Sequence, residues 1–500
     1  MIKSIARSTG QVKNSISALL RDRSDSLVPL TLIAILLVGA YFRGVGLFTW
    51  DRDFHLHPDE RFLTMVAAAV EWPQSVGEYF NSAVSPLSPY NKGYGFFVYG
   101  TLPLFLVKWV SLRVDMVGYS QVHLVGRALS ALFDLGTVLM IFLIGARLYS
   151  RRVGLVASAL LSMTVLHIQS AHFFTVESFT VFFTSVALYA FILVAQRGEW
   201  RDYILAGTAT GLAISCKISS YTLGIVLALA VGLHIWREIQ AGNRRGLEER
   251  LIGRLLVGGL LGALTIRVFL PYAFEGPSVL NFTPAANWLS NMEAIRDLMN
   301  GSTDYPPSHQ WTGRAPLLFP GKNMVLWGMG LPLGITVWCG WGLALWELVR
   351  RRRIEHLLPW AWVTITFLYQ GSQFVKSIRY LLPVYPFFVL LGSYFLIWAR
   401  NRRLQVTSRE WKLSTLTPQL SSLLRGIGQM LPLMILGGTF LWAFAFTRIY
   451  ARPHSRVQAS YWIYENVPRG SVIANEHWDD GLPLTFPAGS KSSTTLSRNR

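Results

Sequence analysis

Apolar runs of about twenty residues recur along the chain, near 28–48, 126–146, 153–171, 178–196, 203–216, 220–236, 252–272, 324–349, 357–371, 380–399 and 427–447. In hydrocarbon every backbone N–H and C=O must be satisfied internally, and a helix of about twenty apolar residues does this while crossing the core. The pattern therefore predicts an all-α polytopic membrane protein with about 11 transmembrane helices; 203–216 and 357–371 are the shortest candidates. Composition agrees. Of 500 residues, 52% are hydrophobic and 15% charged, against about 25% charged in soluble domains. The net charge of +19 falls in short clusters between apolar runs, which points to a lipid bilayer and not to nucleic acid as the partner. Cys216 and Cys339 both sit in apolar runs, so neither a disulfide framework nor a thiolate metal site is indicated.

The basic clusters give an orientation. Lys3, Arg7, Lys13, Arg21 and Arg23 precede a first run that lacks a small-residue cleavage site, so 1–27 reads as a cytoplasmic N-terminus before a retained anchor. Alternation then places Arg147/Arg151/Arg152, Arg197/Arg201, Arg237/Arg244/Arg245/Arg250, Arg350 to Arg353 and Arg400/Arg402/Arg403/Arg409 on that same side. The opposite, extracytoplasmic face of the cell membrane receives 49–125, the turn 172–177, the junction 217–219, the loop 273–323, the turn 372–379 and a tail, 448–500. The membrane domain is thus 28–447. Phe96 to Val110 is apolar but carries Lys108, and a crossing there would reverse every later loop; it is expected as a helix in the interface. The stretch 400–425 reads as a linker, and Gly489 to Arg500 as low-complexity and disordered.

Polar residues of chemical interest gather on the outer side. In His57-Pro58-Asp59-Glu60-Arg61 the proline suits a first helical position, placing both acids in the first turn against the positive end of the dipole. Phe62, Met65, Val66 and Ala69 follow at amphipathic spacing, as for a helix on the membrane surface. First-turn acids also stabilise a helix with no further role, so both readings stand. Asp51, Asp53, His55 and His57 add polar density; His55, His57 and Asp59 suit a divalent cation or plain hydrogen bonding equally. Glu177 occupies the short turn beginning Ala171-His172-Phe173, where an ionisable group is costly unless solvated, paired or used. Asp134 lies inside a span and is expected to pair with Arg127 or with another helix. Lys217, Arg267, Lys376 and Arg379 break the inside bias, which a lipid phosphate would explain; headgroup snorkelling explains any one of them.

The ordered set resembles the GT-C glycosyltransferases that use polyprenyl-phosphate sugars, in the protein O-mannosyltransferase and aminoarabinose-transferase branch (glycosyltransferase family 39-like). The matching pieces are Asp59-Glu60, Gly126-Arg127-Ala128-Leu129-Ser130, the turn before Glu177, the segment around Lys217, and Arg379-Tyr380-Leu381-Leu382-Pro383 with Tyr385-Pro386. The likeness covers roughly 28–400. Glu177 stands where many relatives have Asp, and relatives often continue into a larger domain beyond a point like Tyr461 to Glu465. The resemblance implies a GT-C bundle and an inverting hexosyl- or pentosyltransferase. Asp59 would be the base and Glu60 or Glu177 its acidic helper. Lys217, Arg267, Lys376 and Arg379 would face the donor phosphate, and His57, His172 and Tyr380 the sugar or acceptor. The acceptor is a lipid, glycan or protein; no cofactor is required, though the histidines keep a divalent cation open. A flippase or transporter, an oligosaccharide ligase or polymerase, and a silent scaffold are the rival readings. Trp288, Asp304, Tyr305, Pro306, Pro307, His309, Gln310 and Trp311 of the large outer loop suit sugar or peptide contact, or a rigid loop on headgroups. Glu476 to Asp480 is a polar, outward stretch placed to cover the site.

Overall fold

The computed structural model describes residues 27–51, 54–243, 246–405, 418–475 and 481–486, and among these it is helical, without a β-strand. The expectations for 1–26, Asp53, Arg244, Arg245, Arg409, most of the linker, 476–480 and 489–500 fall outside the described residues. The first apolar run forms α1 (Leu27–Gly44). Three short helices follow, α2 (Pro58–Ala69), α3 (Val76–Phe80) and α4 (Thr101–Arg113). The bundle continues with α5 (Tyr119–Leu148), α6 (Arg151–Ser162), α7 (Val165–Ala171), α8 (Glu177–Gln196), α9 (Trp200–Cys216), α10 (Leu223–Gln240) and α11 (Leu247–Phe269). After α12 (Ala286–Asn300) and α13 (Leu318–Asn323) come α14 (Leu331–Arg351), α15 (Leu357–Ser372), α16 (Tyr385–Gln405), α17 (Pro418–Thr447) and α18 (Ser455–Asn466).

Every expected run therefore carries a helix. Among the described residues, 8 helices are long and apolar enough to cross a membrane, or 9 if the bent pair α6–α7 is one span. The two short candidates, α9 and α15, have only 17 and 16 residues. The chain is a multi-pass membrane protein. Without a hydrophobic drive between helices in lipid, close backbone contact has to come from small residues. A Cβ added at Gly207 would lie 1.9 Å from the carbonyl oxygen of Gly258, so glycine is what lets α9 and α11 touch.

A break inside a span frees backbone groups that lipid cannot satisfy. The α6–α7 pair bends by 59°, and a side chain from α1 answers it. Arg43 donates through Nη1 to Ser162 O at 2.8 Å and through Nε to Asp134 Oδ2 at 2.7 Å. The other Asp134 oxygen lies 2.6 Å from His167 Nδ1, on α7. Asp134 is thus met by two other helices, not by Arg127. This clasp fixes the angle at which α7 delivers residues 169–177.

The segments between α1 and α5 build a cap with its own apolar core, in which Leu63, Val66, Ala67, Phe97, Leu102 and Phe105 meet Val122, Phe174, Phe179 and Cys216. The buried residues of α2 are Glu60, Leu63, Thr64, Val66 and Ala67, whereas Met65 is exposed. Of the expected face of Phe62, Met65, Val66 and Ala69 only Met65 is exposed, so the helix is wedged into protein and does not lie on a surface by that face. The 13 residues of α4 extend about 20 Å, too short to cross. Lys108 is buried there and donates to Ala67 O at 3.1 Å, so the cation in the apolar run ties α4 to α2.

Candidate active site

Pro58 opens α2, and His57 caps it by accepting the Glu60 N–H at Nδ1, 3.3 Å away. Burial keeps this imidazole below its ordinary pKa, hence neutral and able to accept. Consecutive helical residues diverge by about 100°, so Asp59 and Glu60 face different surroundings. Glu60 points inward. Its oxygens receive Arg127 Nε at 2.8 Å, Arg127 Nη2 at 2.6 Å and the Phe174 N–H at 2.8 Å. Burial alone would raise its pKa; the Arg127 bonds and charge outweigh that and hold it below the usual carboxylate range. Arg127 also donates to Trp50 O at 2.8 Å, so the clamp joins α2, α5 and the end of the first outer segment.

Asp59 points the other way, into an ion pair with Arg379. Its side chain keeps 16% exposure where Glu60 has none. Glu177, at the start of α8, accepts Lys217 Nζ at 3.3 Å. The two cations converge on one ring: Lys217 Nζ lies 4.5 Å and the Arg379 guanidinium 5.4 Å from the centre of Tyr380. Lys217 holds its place because Gly100 packs on the end of α9. The Gly100 N–H donates to Cys216 O at 3.1 Å, and a Cβ at Gly100 would sit 2.0 Å from Ser215 O. A cavity of about 260 Å³ adjoins the cluster, lined among others by His57, Gln169, Ser170, Thr175, Glu177 and Arg379.

Asp59, Glu177, Lys217, Arg379, Tyr380 and His57 are therefore brought together from α2, α8, the α9–α10 junction and the segment before α16. Other expected residues are occupied elsewhere. Arg267 spends its guanidinium on the carbonyls of Ser278 (2.7 Å), Asn281 (2.9 Å) and Pro271 (3.2 Å), and so holds the turn after α11. Lys376 donates to Phe374 O at 3.0 Å, and burial lowers its pKa; among the described residues it forms no ion pair with the cluster. The ring nitrogens of His172 lie 2.7 and 2.9 Å from the carbonyl oxygens of Ile168 and Val45, leaving none for a substrate. His55 faces Tyr119 and His123 at ring distances of 4.3 and 4.4 Å, while His57 lies over Phe173 at 4.4 Å. The His-x-His-x-Asp spacing thus does not converge, and among the described residues no group of three His, Cys, Asp or Glu side chains is arranged to hold a metal ion.

One neighbour of the cluster carried no sequence signal. Tyr99 lies in the fields of Asp59, Arg379, Glu177 and Tyr380; burial first, then the Asp59 charge, keeps its phenol protonated well above its ordinary value. A tyrosine among many aromatics does not announce itself without the packing of Gly100 that puts it there.

Residues 105–243, from α4 to the end of α10, match the family model described as dolichyl-phosphate-mannose-protein mannosyltransferase. No curated protein matches the chain in sequence. Among solved structures, the oligosaccharyltransferase of Archaeoglobus fulgidus tethered to an acceptor peptide with the NVT sequon aligns over 91% of this chain and 60% of its own, with TM-score 0.56 and 15% identity. The same organism's AglB, in complex with an inhibitory peptide and a dolichol-phosphate, aligns over 93% and 62%, with TM-score 0.55 and 13% identity. The fold is GT-C. ArnT from Cupriavidus metallidurans bound to undecaprenyl phosphate is also similar, over 85% and 76%, with TM-score 0.46 and 15% identity. The chain spans about three fifths of the length of the archaeal enzymes it matches. In this bundle the Asp59 cluster lies at the start of α8 and the end of α9, whereas Arg147, Arg151, Arg152, Arg197 and Arg201 lie at the opposite ends of α5, α6, α8 and α9.

Proposed function

We propose that the chain is a membrane glycosyltransferase moving one hexose or pentose from a polyprenyl-phosphate donor to an acceptor hydroxyl, with inversion, on the extracytoplasmic side of the cell membrane. The carrying observation is the interlock of two carboxylates, Asp59 and Glu177, with two cations, Arg379 and Lys217, beside one cavity. The matched family is named for a dolichyl-phosphate mannose donor, and the archaeal GT-C structure holds a dolichol-phosphate; both support a lipid phosphate.

The donor phosphate takes the Arg379 fork and the Lys217 point charge, whose donors stabilise the negative charge that grows as the C1–O bond to phosphate breaks. A phosphate on Arg379 competes with Asp59 for that guanidinium. Asp59, so released, accepts the proton of the acceptor hydroxyl as its oxygen bonds to C1 from the opposite face. Glu177 faces the positive charge developing on the sugar. Phosphate is already a good leaving group, so the scheme requires no cofactor. The acceptor is a lipid, glycan or protein hydroxyl.

Transfer from radiolabelled polyprenyl-phosphate sugars by the purified protein, wild type against Asp59→Asn, tests the reading; full transfer by the variant eliminates Asp59 as base. A cysteine placed at Ser302 should react with an impermeant label from outside intact cells, and protection there overturns the sidedness.

A further inference from the structure

The cavity beside Arg379 differs chemically from the charged cluster it adjoins. Its far wall is the end of α7, where Gln169 is exposed and Ser170 half-buried, and its third neutral polar group is the half-buried Ser377, two residues before Arg379. Among the described residues, no side-chain hydrogen bond engages the Gln169 amide or the hydroxyls of Ser170 and Ser377. Thr175, by contrast, is buried beside Glu177. The volume of about 260 Å³ lies just below the usual range of small-molecule pockets, about 300–1,000 Å³. That room suits one sugar ring and not a chain of them.

A sugar ring carries several hydroxyls, each a donor and an acceptor. The side chains that complement it are neutral ones with both capacities, and a Gln amide and two Ser hydroxyls are such a set. Position adds the rest. Arg379 and Glu177 border the same cavity, so a glycosyl group hung from a phosphate on Arg379 enters it directly, with C1 beside the carboxylates. Resting on the proposed glycosyl transfer, we infer that Gln169, Ser170 and Ser377 contact the hydroxyls of the donor's monosaccharide and decide which sugar is accepted. The bend at α6–α7, held by Arg43, Asp134 and His167, is what turns Gln169 and Ser170 toward it.

The test compares two lipids differing only in the sugar, polyprenyl phosphate and polyprenyl-phosphate mannose, alongside a polyprenyl phosphate bearing a trisaccharide. Gln169→Ala and the double variant Ser170→Ala/Ser377→Ala should raise the donor KM by about tenfold or more, since each leaves sugar hydroxyls unpaired. Competition by bare polyprenyl phosphate should change less than about twofold, because its phosphate contacts remain. Arg379→Ala should weaken both lipids alike. Equal weakening of the bare and glycosylated lipids in Gln169→Ala, or no change in either, overturns the assignment. Trisaccharide donor binding as tight as the monosaccharide donor overturns the size argument. Binding measured on Asp59→Asn reads the subsite without turnover. Absence of transfer by the wild type thus counts against the proposed activity, and a preference for the mannosyl over the bare lipid that survives Gln169→Ala counts against the subsite.

Discussion

Asp59 and Glu60 are neighbours, carry the same functional group and each meet an arginine, yet they are built for opposite ends. Glu60 is sealed, with three donors on two oxygens. Asp59 has one cation and an open side. A buried carboxylate with both oxygens engaged holds structure; one with a single exchangeable partner can take a proton. The difference comes from the helical turn between them and from what each direction meets, not from residue type.

Removing Asp59 breaks the comparison hardest. Asp59→Asn should lower sugar transfer by about 10²–10⁴-fold while shifting stability by less than about 1 kcal/mol, since a partly exposed pair contributes little; product assays with thermal unfolding in detergent read both. Arg127→Ala should do the converse, costing about 3–5 kcal/mol because it strands the Glu60 charge. An Arg127→Ala protein that unfolds like wild type would erase the distinction.

Asp51 sharpens it as a third carboxylate, buried with one backbone bond from Leu56 and, among the described residues, no ion pair. Burial pushes its pKa up to about 7. A raised carboxyl pKa means the folded state holds a proton that the unfolded chain has lost, so stability should fall as pH rises from about 4 to about 7 and level off above. The rise to about 7 corresponds to at most about 4 kcal/mol. Asp51→Asn, whose amide oxygen can still accept from Leu56, should flatten that slope and be the more stable protein at pH 8. An unchanged slope in the thermal profiles would show that Asp51 does not carry it.

Arg379→Lys keeps the charge but loses the fork. Donor KM should rise by about tenfold with little change in melting. The smallest effect is expected at Arg267, whose donors are spent on its own turn: Arg267→Gln should leave donor KM within about twofold, and a larger rise would return it to the phosphate site.

The helices were legible because lipid permits few alternatives, and every apolar run of 28–447 carries one. The first turn of α2 was legible from Pro58 and its acids. Which of the two acids is sealed and which meets Arg379 was not, because Arg127 lies 67 residues from Glu60 and only tertiary packing unites them. Arg267 misled for a related reason: an irregular turn full of carbonyls binds a guanidinium as readily as a phosphate does. Lys376 and His172 likewise found carbonyls. Gln169, Ser170 and Tyr99 left no trace in the pattern, since neutral polar and aromatic residues are common and only their placement distinguishes them.

The clasp on the bent span constrains how the chain is born. Arg43 leaves the ribosome 91 residues ahead of Asp134, and no charged side chain rests comfortably in lipid while it waits. The leading helix must therefore keep its guanidinium at the headgroups until α5 arrives, and the cavity takes shape later still, because Ser377 and Arg379 of its wall come far further along the chain.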